Sequence, residues 1–396
     1  MVMPQFSTSA RWALAVFSGL LNGVGFIFWG PASLIANVPL LLAIRDSRSP
    51  TESAMMGAVV GFIGGLHIYG VLKYGWFLLA GFSLYTASQM IIYALILESL
   101  WRKGRPGFDL VLPALAWTLT EWLRTIGPMS MPASYVGNLA DTQMLKSWLY
   151  LVPILGGLGV SSLVALTQSV CFHLLFGGSA HRKAAKWACA IIVTISIAAL
   201  MVPPHMGDQT VSIAGVQGGL ANSQYAAAKA DVSAQRDVIH TYSELSRQAY
   251  ETGADWVIWP ETAVRAPVLR TPELRTRLLP KKDDRSTLIA GLITHDESGR
   301  RFNSAVAIGP GGVVEGIYRK NRLVPGAESH FTAGSGWMPL LTQKGPLGVM
   351  ICLESVYPDS ARALVGNGAQ ALAVLSNDAG FGWSPITQHM TSRAKI

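Results

Sequence analysis

Long apolar runs fill the first half of the chain, and shorter apolar runs alternate with polar stretches in the second half. A helix that crosses a bilayer needs about 20 predominantly apolar residues, and most of the first-half runs approach that length. The run at 31–44 is short for a span, which leaves a tilted or re-entrant helix, or a buried hairpin partner of the first helix, as its alternatives. We predict seven membrane spans, at residues 12–29, 31–44, 54–72, 76–99, 108–123, 149–177 and 185–203.

Basic residues between these runs support the count of seven. They lie at Arg11, at Arg45 and Arg48, at 102–105 and at 181–186. Short loops rich in Lys and Arg face the cytoplasm. With seven spans and a cytoplasmic N-terminus, every cluster falls on the cytoplasmic side, and the chain emerges on the opposite side after the last span. A cleaved signal peptide is the alternative for the first span, but the further spans favour an uncleaved anchor.

The density of charge changes where the long apolar runs end. Residues 1–205 contain 18 Lys, Arg, Asp and Glu, whereas residues 206–396 contain 36. The high apolar content excludes an intrinsically disordered chain, and three cysteines exclude a disulfide scaffold. Most of the net charge of +8 comes from the first half, so it indicates a membrane partner and no nucleic acid. We predict a transmembrane helical domain at 1–205 and an extramembrane domain at 206–396.

From residue 209 the pattern is typical of strands that alternate with helices. Helices are predicted at 225–251 and 357–367. Apolar strands separated by helices indicate a layered α/β domain. The predicted strands are Thr210–Gln217, Asp255–Pro260, Ser286–Leu292, Phe302–Ile308, Val313–Tyr318, Gly348–Cys352 and Gln370–Ser376.

Three residues with catalytic chemistry stand at the ends of predicted strands: Glu261, Lys320 and Cys352. A carboxylate base, an ammonium and a thiol nucleophile form a plausible set for covalent catalysis. Cys352 also stands where a strand turns into a predicted helix, whose N-terminal partial charge we expect to lower the thiol pKa. Taken alone, each residue is weak evidence of a catalytic site, because a single cysteine is usually inert and Glu261 and Lys320 could be surface charges. Cys171 and Cys189 lie in predicted spans.

Acidic residues also lie in or near the predicted spans, at Glu98, Asp109 and Glu121. An acid within the membrane is a functional candidate by default. Glu121 precedes Arg124 by three positions, so the two side chains can pair on one helix face. We favour structural pairing for these acids.

Four motifs together resemble the carbon–nitrogen hydrolase (nitrilase) superfamily: WPET around Glu261, YRKNRLVPGAE around Lys320, ICLESVYP around Cys352 and SNDAGFG at 376–382. EWLRT at 121–125 and PILGGLGVSSLVAL at 153–166 extend the resemblance to bacterial apolipoprotein N-acyltransferases. The chain looks closer to a shorter branch of conjugal-transfer proteins of the TraB type.

The sequence departs from the family pattern at three motif positions. Leu353 replaces an aromatic residue, VPGAE lacks the usual Phe, and Gly380 replaces a bulky aromatic. The chain also stops at Ile396, where the family continues. The expected fold is therefore a helical membrane bundle followed by a C-terminally shortened αββα nitrilase-like domain.

The resemblance implies acyl transfer through a thioester on Cys352, with Glu261 as the base and Lys320 beside the oxyanion. It implies that Glu328 and Glu354 orient Lys320 or assist proton transfer. Asn377 and Asp378 are weak candidates for substrate binding. No metal and no cofactor is implied.

The implied partners are a phospholipid acyl donor, a lipoprotein or other amine acceptor, and conjugation machinery. The implied location is the bacterial inner membrane, with a cytoplasmic N-terminus and a periplasmic C-terminal domain. The loop 125–148 is predicted to form a rim on the periplasmic side. Two other hypotheses remain: a non-catalytic member that supports conjugative transfer through assembly contacts, and an amidase on a membrane anchor.

Overall fold

The computed structural model describes residues 5–101, 105–126, 137–143, 145–202, 207, 210–279, 285–382 and 384–394. The chain forms two compact units, Met1–His205 together with Trp383–Ile396, and Met206–Gly382. Each unit is described separately below.

The first unit is helical, and every predicted apolar run contains a helix. Its helices are α1 (Thr8–Ile27), α2 (Val38–Arg45), α3 (Pro50–Gly65), α4 (Trp76–Leu100), α5 (Pro106–Leu123), α6 (Lys146–Phe176) and α7 (Ser179–Met201).

Five helical segments in the described part of the chain are long and apolar enough to cross a membrane. They are α1, α3 continued by a 3-10 helix to Tyr74, α4, α6 and α7. Helix α2 has only eight residues, and α5 carries Asp109 and Glu121 within its 18 residues. The unit therefore contains several membrane-spanning helices, and the total of seven spans stays a prediction.

Glycines bring α3 and α4 into close contact. Gly57 and Gly61 are four residues apart on one face of α3. A Cβ atom at Gly57 would lie 2.4 Å from the Met90 carbonyl oxygen, and one at Gly61 would lie 2.4 Å from that of Thr86. Small residues permit this approach of helix backbones in a membrane, where packing must replace the hydrophobic effect.

The acids of the helical unit are held by neighbouring side chains. Glu121 lies 3.7 Å from Arg124, which confirms the predicted pair. Asp109 Oδ2 lies 3.0 Å from His181 Nε2. Glu98 accepts hydrogen bonds from two serine hydroxyls. These contacts agree with a structural role for the three acids.

The last helix clusters with the helical unit by its contacts, whereas the domain boundary at 205/206, which stays a prediction, places it in the extramembrane domain. Residues 206–396 were all expected in the extramembrane domain, whereas the segment after Gly382 clusters with the helices. Here α12 (Pro385–Arg393) contacts the 3-10 helices Leu66–Tyr74 and Leu139–Thr142. This helix has the polar sequence PITQHMTSR. It therefore has no apolar pattern from which its packing could be predicted.

The second unit is an α/β domain with two sheets. One sheet has the order β1-β2-β3-β4-β5 and the other β6-β7-β8. The strands are β1 (Ile213–Gly215), β2 (Trp256–Ile258), β3 (Thr287–His295), β4 (Arg301–Ile308), β5 (Val314–Arg319), β6 (Leu340–Thr342), β7 (Gly345–Ile351) and β8 (Ala371–Leu375). The helices are α8 (Asn222–Ala227), α9 (Val232–Glu251), α10 (Pro272–Arg277) and α11 (Pro358–Gly366).

All seven predicted strands are present, and β6 and α10 were not predicted. The predicted helix at 225–251 is instead two helices, α8 and α9. The break occurs because the Asp231 side chain accepts a hydrogen bond from the Ser233 N–H and caps α9.

Alternating side chains place the two sheets between helices. Along β3, Leu288 and Ala290 join a core that includes α9, whereas Ile289 joins a core shared with the second sheet. Successive residues of a strand point to opposite faces. On the second sheet, Val349 joins that inner core, whereas the next-door position Gly348 faces α11: a Cβ atom there would lie 3.2 Å from Leu364 Cβ. The domain therefore has α, β, β and α layers, and the predicted fold class is confirmed.

Candidate active site

Glu261, Lys320 and Cys352 lie directly after strands of the second unit. Glu261 follows β2 by three positions, Lys320 follows β5 at once, and Cys352 follows β7 at once. Lys320 Nζ lies 3.1 Å from Glu261 Oε1, and the charges of both residues act on the Cys352 thiol. The structure thus brings together the three residues that the sequence singled out.

Unusual backbone conformations occur at two of these strand ends. Thr262, next to Glu261, has φ of 44°, and Cys352 has φ of 49°. Residues other than glycine avoid this left-handed region, and such residues concentrate at functional sites. They are the only two non-glycine cases in the described part of the chain. The turn at Cys352 places the thiol at the beginning of the 3-10 helix Cys352–Val356.

A glycine in the neighbouring strand makes room for the Glu261 turn. A Cβ atom on Gly291 of β3 would lie 2.1 Å from the Pro260 carbonyl oxygen and 2.8 Å from Glu261 Cα. No real side chain accepts such distances to backbone atoms. The position of Glu261 therefore depends on a bare backbone at this point in β3.

Lys320 is held between two carboxylates. Its ammonium lies 3.1 Å from Glu261 Oε1 and 2.9 Å from Glu328 Oε2, and the side chain is 1% exposed. Burial disfavours the ammonium, but the negative charges of Glu261 and Glu328 outweigh burial and hold the pKa of Lys320 above its usual value. Lys320 therefore stays cationic, as a group that stabilises an oxyanion must.

Asn303 of β4 was missed by the sequence analysis. Its amide Nδ2 donates to Glu261 Oε1 at 2.6 Å and to Glu328 Oε1 at 2.9 Å. Its backbone carbonyl accepts from the Lys320 N–H at 2.8 Å. One residue therefore orients both carboxylates and the lysine backbone. The available signal was weak, because Asn303 is one of three polar residues in the strand RFNSAVAI.

Glu354 contacts the backbone around the site. It accepts hydrogen bonds from the Tyr318 hydroxyl and from the backbone N–H groups of Asn321, Arg322 and Ile351. These residues flank Lys320 and Cys352. Burial raises the pKa of Glu354 despite these bonds. Its carboxylate is thus occupied by groups at the ends of β5 and β7, and the prediction that Glu354 orients Lys320 or assists proton transfer stays a prediction.

The prediction that a helix N-terminus lowers the pKa of the Cys352 thiol is wrong. Burial, and then the charge of Glu261, raise the pKa of Cys352 to about 12, while Lys320 opposes them. The 3-10 helix that Cys352 begins has only five residues, so its dipole is small. A protonated thiol needs a base, and Glu261 is the adjacent carboxylate.

The segment after β8 adds a polar margin to the site. Asn377 Nδ2 donates to the Glu261 carbonyl oxygen at 3.4 Å, and the Ser376 hydroxyl donates to Asp378 at 2.8 Å. Ser376 also interacts with the Cys352 thiol, and burial raises the pKa of Asp378. Substrate binding by Asn377 and Asp378 stays a prediction. Residues 127–136 and 144 of the predicted rim at 125–148 lie outside the described residues, and the rim stays a prediction.

Comparisons with known proteins agree with both parts of the chain. Residues 221–395 match the carbon-nitrogen hydrolase family, and residues 18–170 match the apolipoprotein N-acyltransferase N-terminal domain. The apolipoprotein N-acyltransferase of Geobacter metallireducens is 26% identical, over 98% of this chain and 82% of that protein. The enzyme of the same name from Vibrio vulnificus is 26% identical, over 95% of this chain and 80% of that protein.

Among solved structures, a carbon-nitrogen hydrolase from Helicobacter pylori is 25% identical, with a TM-score of 0.31 over 36% of this chain and 55% of that chain. By its fold and its two domain matches, the chain is a multi-pass membrane protein with a carbon–nitrogen hydrolase domain. More narrowly, it is apolipoprotein N-acyltransferase-like over most of its length.

Proposed function

We propose that this protein is an inner-membrane N-acyltransferase that moves an acyl chain from a phospholipid to an amine through a thioester on Cys352. The observation that carries the proposal is the cluster formed by Lys320, Glu261 and the Cys352 thiol at three strand ends. The names of the full-length relatives support the reaction class.

The proposed first half-reaction begins with transfer of the thiol proton to Glu261. The sulfur attacks the ester carbonyl of the phospholipid, and Lys320 stabilises the resulting oxyanion. When the ester C–O bond breaks, Glu261 returns the proton to the leaving alkoxide, which gives a lysophospholipid and an acyl-thioester. Glu328 and Asn303 keep Lys320 and Glu261 aligned.

In the proposed second half-reaction, an amine attacks the thioester. Glu261 accepts a proton from the amine nitrogen as the C–N bond forms, and the C–S bond then breaks. The leaving sulfur takes the proton back from Glu261. The products are an amide and the free thiol, so the enzyme returns to its starting state.

The chain offers matched controls for a trapping experiment. Purified protein is incubated with a phospholipid labelled in its acyl chains, and the thioester is identified by its release with neutral hydroxylamine. Label is expected on wild type and on Cys171→Ala and Cys189→Ala, and absent from Cys352→Ala. Absence of label on folded wild type would contradict the proposal and favour the non-catalytic hypothesis. Hydrolysis of short amides without lipid labelling would favour the anchored amidase.

We propose further that the acceptor is specialised, as in the conjugal-transfer branch of the TraB type. Leu353 and Gly380, which replace bulky aromatics of the family motifs, support an altered pocket. The test is rescue of a bacterium depleted of its own apolipoprotein N-acyltransferase. Failure to rescue, with thioester formation intact, is the expected result. Full rescue would instead show that the chain accepts general lipoproteins.

A further inference from the structure

The helical unit contains a partly open cavity of about 60 Å³ between α1, α3, α4 and α5. It lies beside three glycines of α3, which leave the space that side chains would fill. The apolar part of its wall includes Phe26, Val60, Met90 and Trp117.

The remaining wall carries polar groups that are almost fully buried. Gln89, Glu121 and Arg124 are 6%, 2% and 5% exposed. Within the described part of the chain, both polar atoms of the Gln89 amide, Oε2 of Glu121 and Nε of Arg124 have no hydrogen-bond partner. Leaving such groups unpaired in a membrane interior is unfavourable, because no bulk water is available there to satisfy them.

We propose that this cavity is a water-binding site that joins α4 to α5. The unpaired atoms include donors, on Gln89 and Arg124, and acceptors, on Gln89 and Glu121. An anion could satisfy only the donors and a cation only the acceptors, whereas water both donates and accepts. The opposite charges of Glu121 and Arg124 also favour a neutral occupant. A cavity of about 60 Å³ exceeds the roughly 10–15 Å³ that one water requires, so a few molecules fit.

The bound water would also steady the segment 137–143. Glu121 Oε1 accepts from the Leu139 N–H at 2.9 Å, and Arg124 donates to Asn138. The same two side chains thus face the cavity on one side and hold this segment on the other. Water that fixes Glu121 and Arg124 therefore fixes the residues that they bind.

Two methionines provide a matched test in the wild-type protein. Both are buried in the same apolar core, but Met90 lines the cavity and Met56 does not. The protein in lipid nanodiscs is exposed to an X-ray pulse in ¹⁸O-water, and hydroxyl radicals oxidise side chains that contact bound water. We expect Met90 to take up ¹⁸O several-fold faster than Met56. Equal and slow uptake at both residues would overturn the proposal, as would a lipid that copurifies and protects Met90.

A variant gives a second, independent readout. Gln89→Leu keeps a similar side-chain volume but removes the amide. If water occupies the cavity, the variant slows ¹⁸O uptake at Met90, lowers Tm and increases hydrogen exchange in 137–143. If the cavity is dry, the same change removes an unpaired amide from apolar surroundings, so a raised Tm with unchanged exchange would overturn the proposal.

Discussion

At the scale of single residues, the ionisation of Cys352 depends on Glu261. A pKa of about 12 keeps the thiol protonated near neutral pH, so alkylation by iodoacetamide, which needs the thiolate, should still rise between about pH 7 and pH 10. Glu261→Gln removes the negative charge that opposes the thiolate and leaves Lys320. We therefore expect a lower pKa and alkylation at about pH 8 that is tenfold faster per unit of pKa lost, although acyl transfer is abolished.

This experiment uses protein in which Cys171 and Cys189 are replaced by alanine, so that the label reports Cys352 alone. Two results would contradict the expectation. One is a plateau of the wild-type rate near neutral pH, and the other is an equal rate in the Gln variant. Either would mean that the thiol ionises independently of the adjacent carboxylate.

Asn303 offers a second test at this scale. It donates to Glu261 and Glu328, and hydrogen bonds to charged groups contribute about 1.5–3 kcal/mol each. Asn303→Ala should slow formation of the acyl-enzyme about 10- to 100-fold. Asn303→Asp should slow formation of the acyl-enzyme more than Asn303→Ala does, because it places a third carboxylate against those of Glu261 and Glu328. The rate is measured in single-turnover labelling; an aspartate variant faster than the alanine variant would argue against this orientation of the amide.

At the scale of secondary-structure elements, the spacing between β2 and β3 sets the position of Glu261. Gly291→Ala places a Cβ atom 2.1 Å from the Pro260 carbonyl oxygen, so the turn must move. We expect a loss of about 1–3 kcal/mol in stability from overpacking and severe loss of acylation. Gly215→Ala in β1 of the same sheet is the control, because nothing lies within 4 Å of its added Cβ. Similar behaviour of the two variants in thermal unfolding and labelling would refute this account.

The same scale shows which features a sequence reveals. Glu261, Lys320 and Cys352 were predictable because each follows a strand whose apolar pattern marks its end. Strand β6 has three residues and is defined by its pairing with β7, which no local pattern encodes. Asn303 lies inside a strand, where its contacts depend on chain segments before and after it. The thiol pKa was mispredicted because it depends on burial and on a carboxylate 91 positions away.

At the scale of the whole molecule, the short helix α2 and the acid-containing α5 decide the membrane topology. If both cross the membrane, as seven spans require, the loop at Arg48 and the segment at Arg105 are cytoplasmic. If only the five long apolar segments cross, both points lie on the opposite side. Basic residues at these points favour the cytoplasm. We therefore expect a fluorescent protein fused at Arg48 or Arg105 to be active, and alkaline phosphatase fused at the same points to be inactive.

Two further fusion points make the result interpretable. At Gly178 both span counts predict the cytoplasmic side, and at Gly207 both predict the opposite side, given a cytoplasmic N-terminus. The side of the α/β domain therefore does not distinguish five spans from seven, because both counts are odd. Phosphatase activity at Arg48 together with the expected control results would reject seven spans. It would leave the proposed orientation of Cys352 toward the periplasm intact.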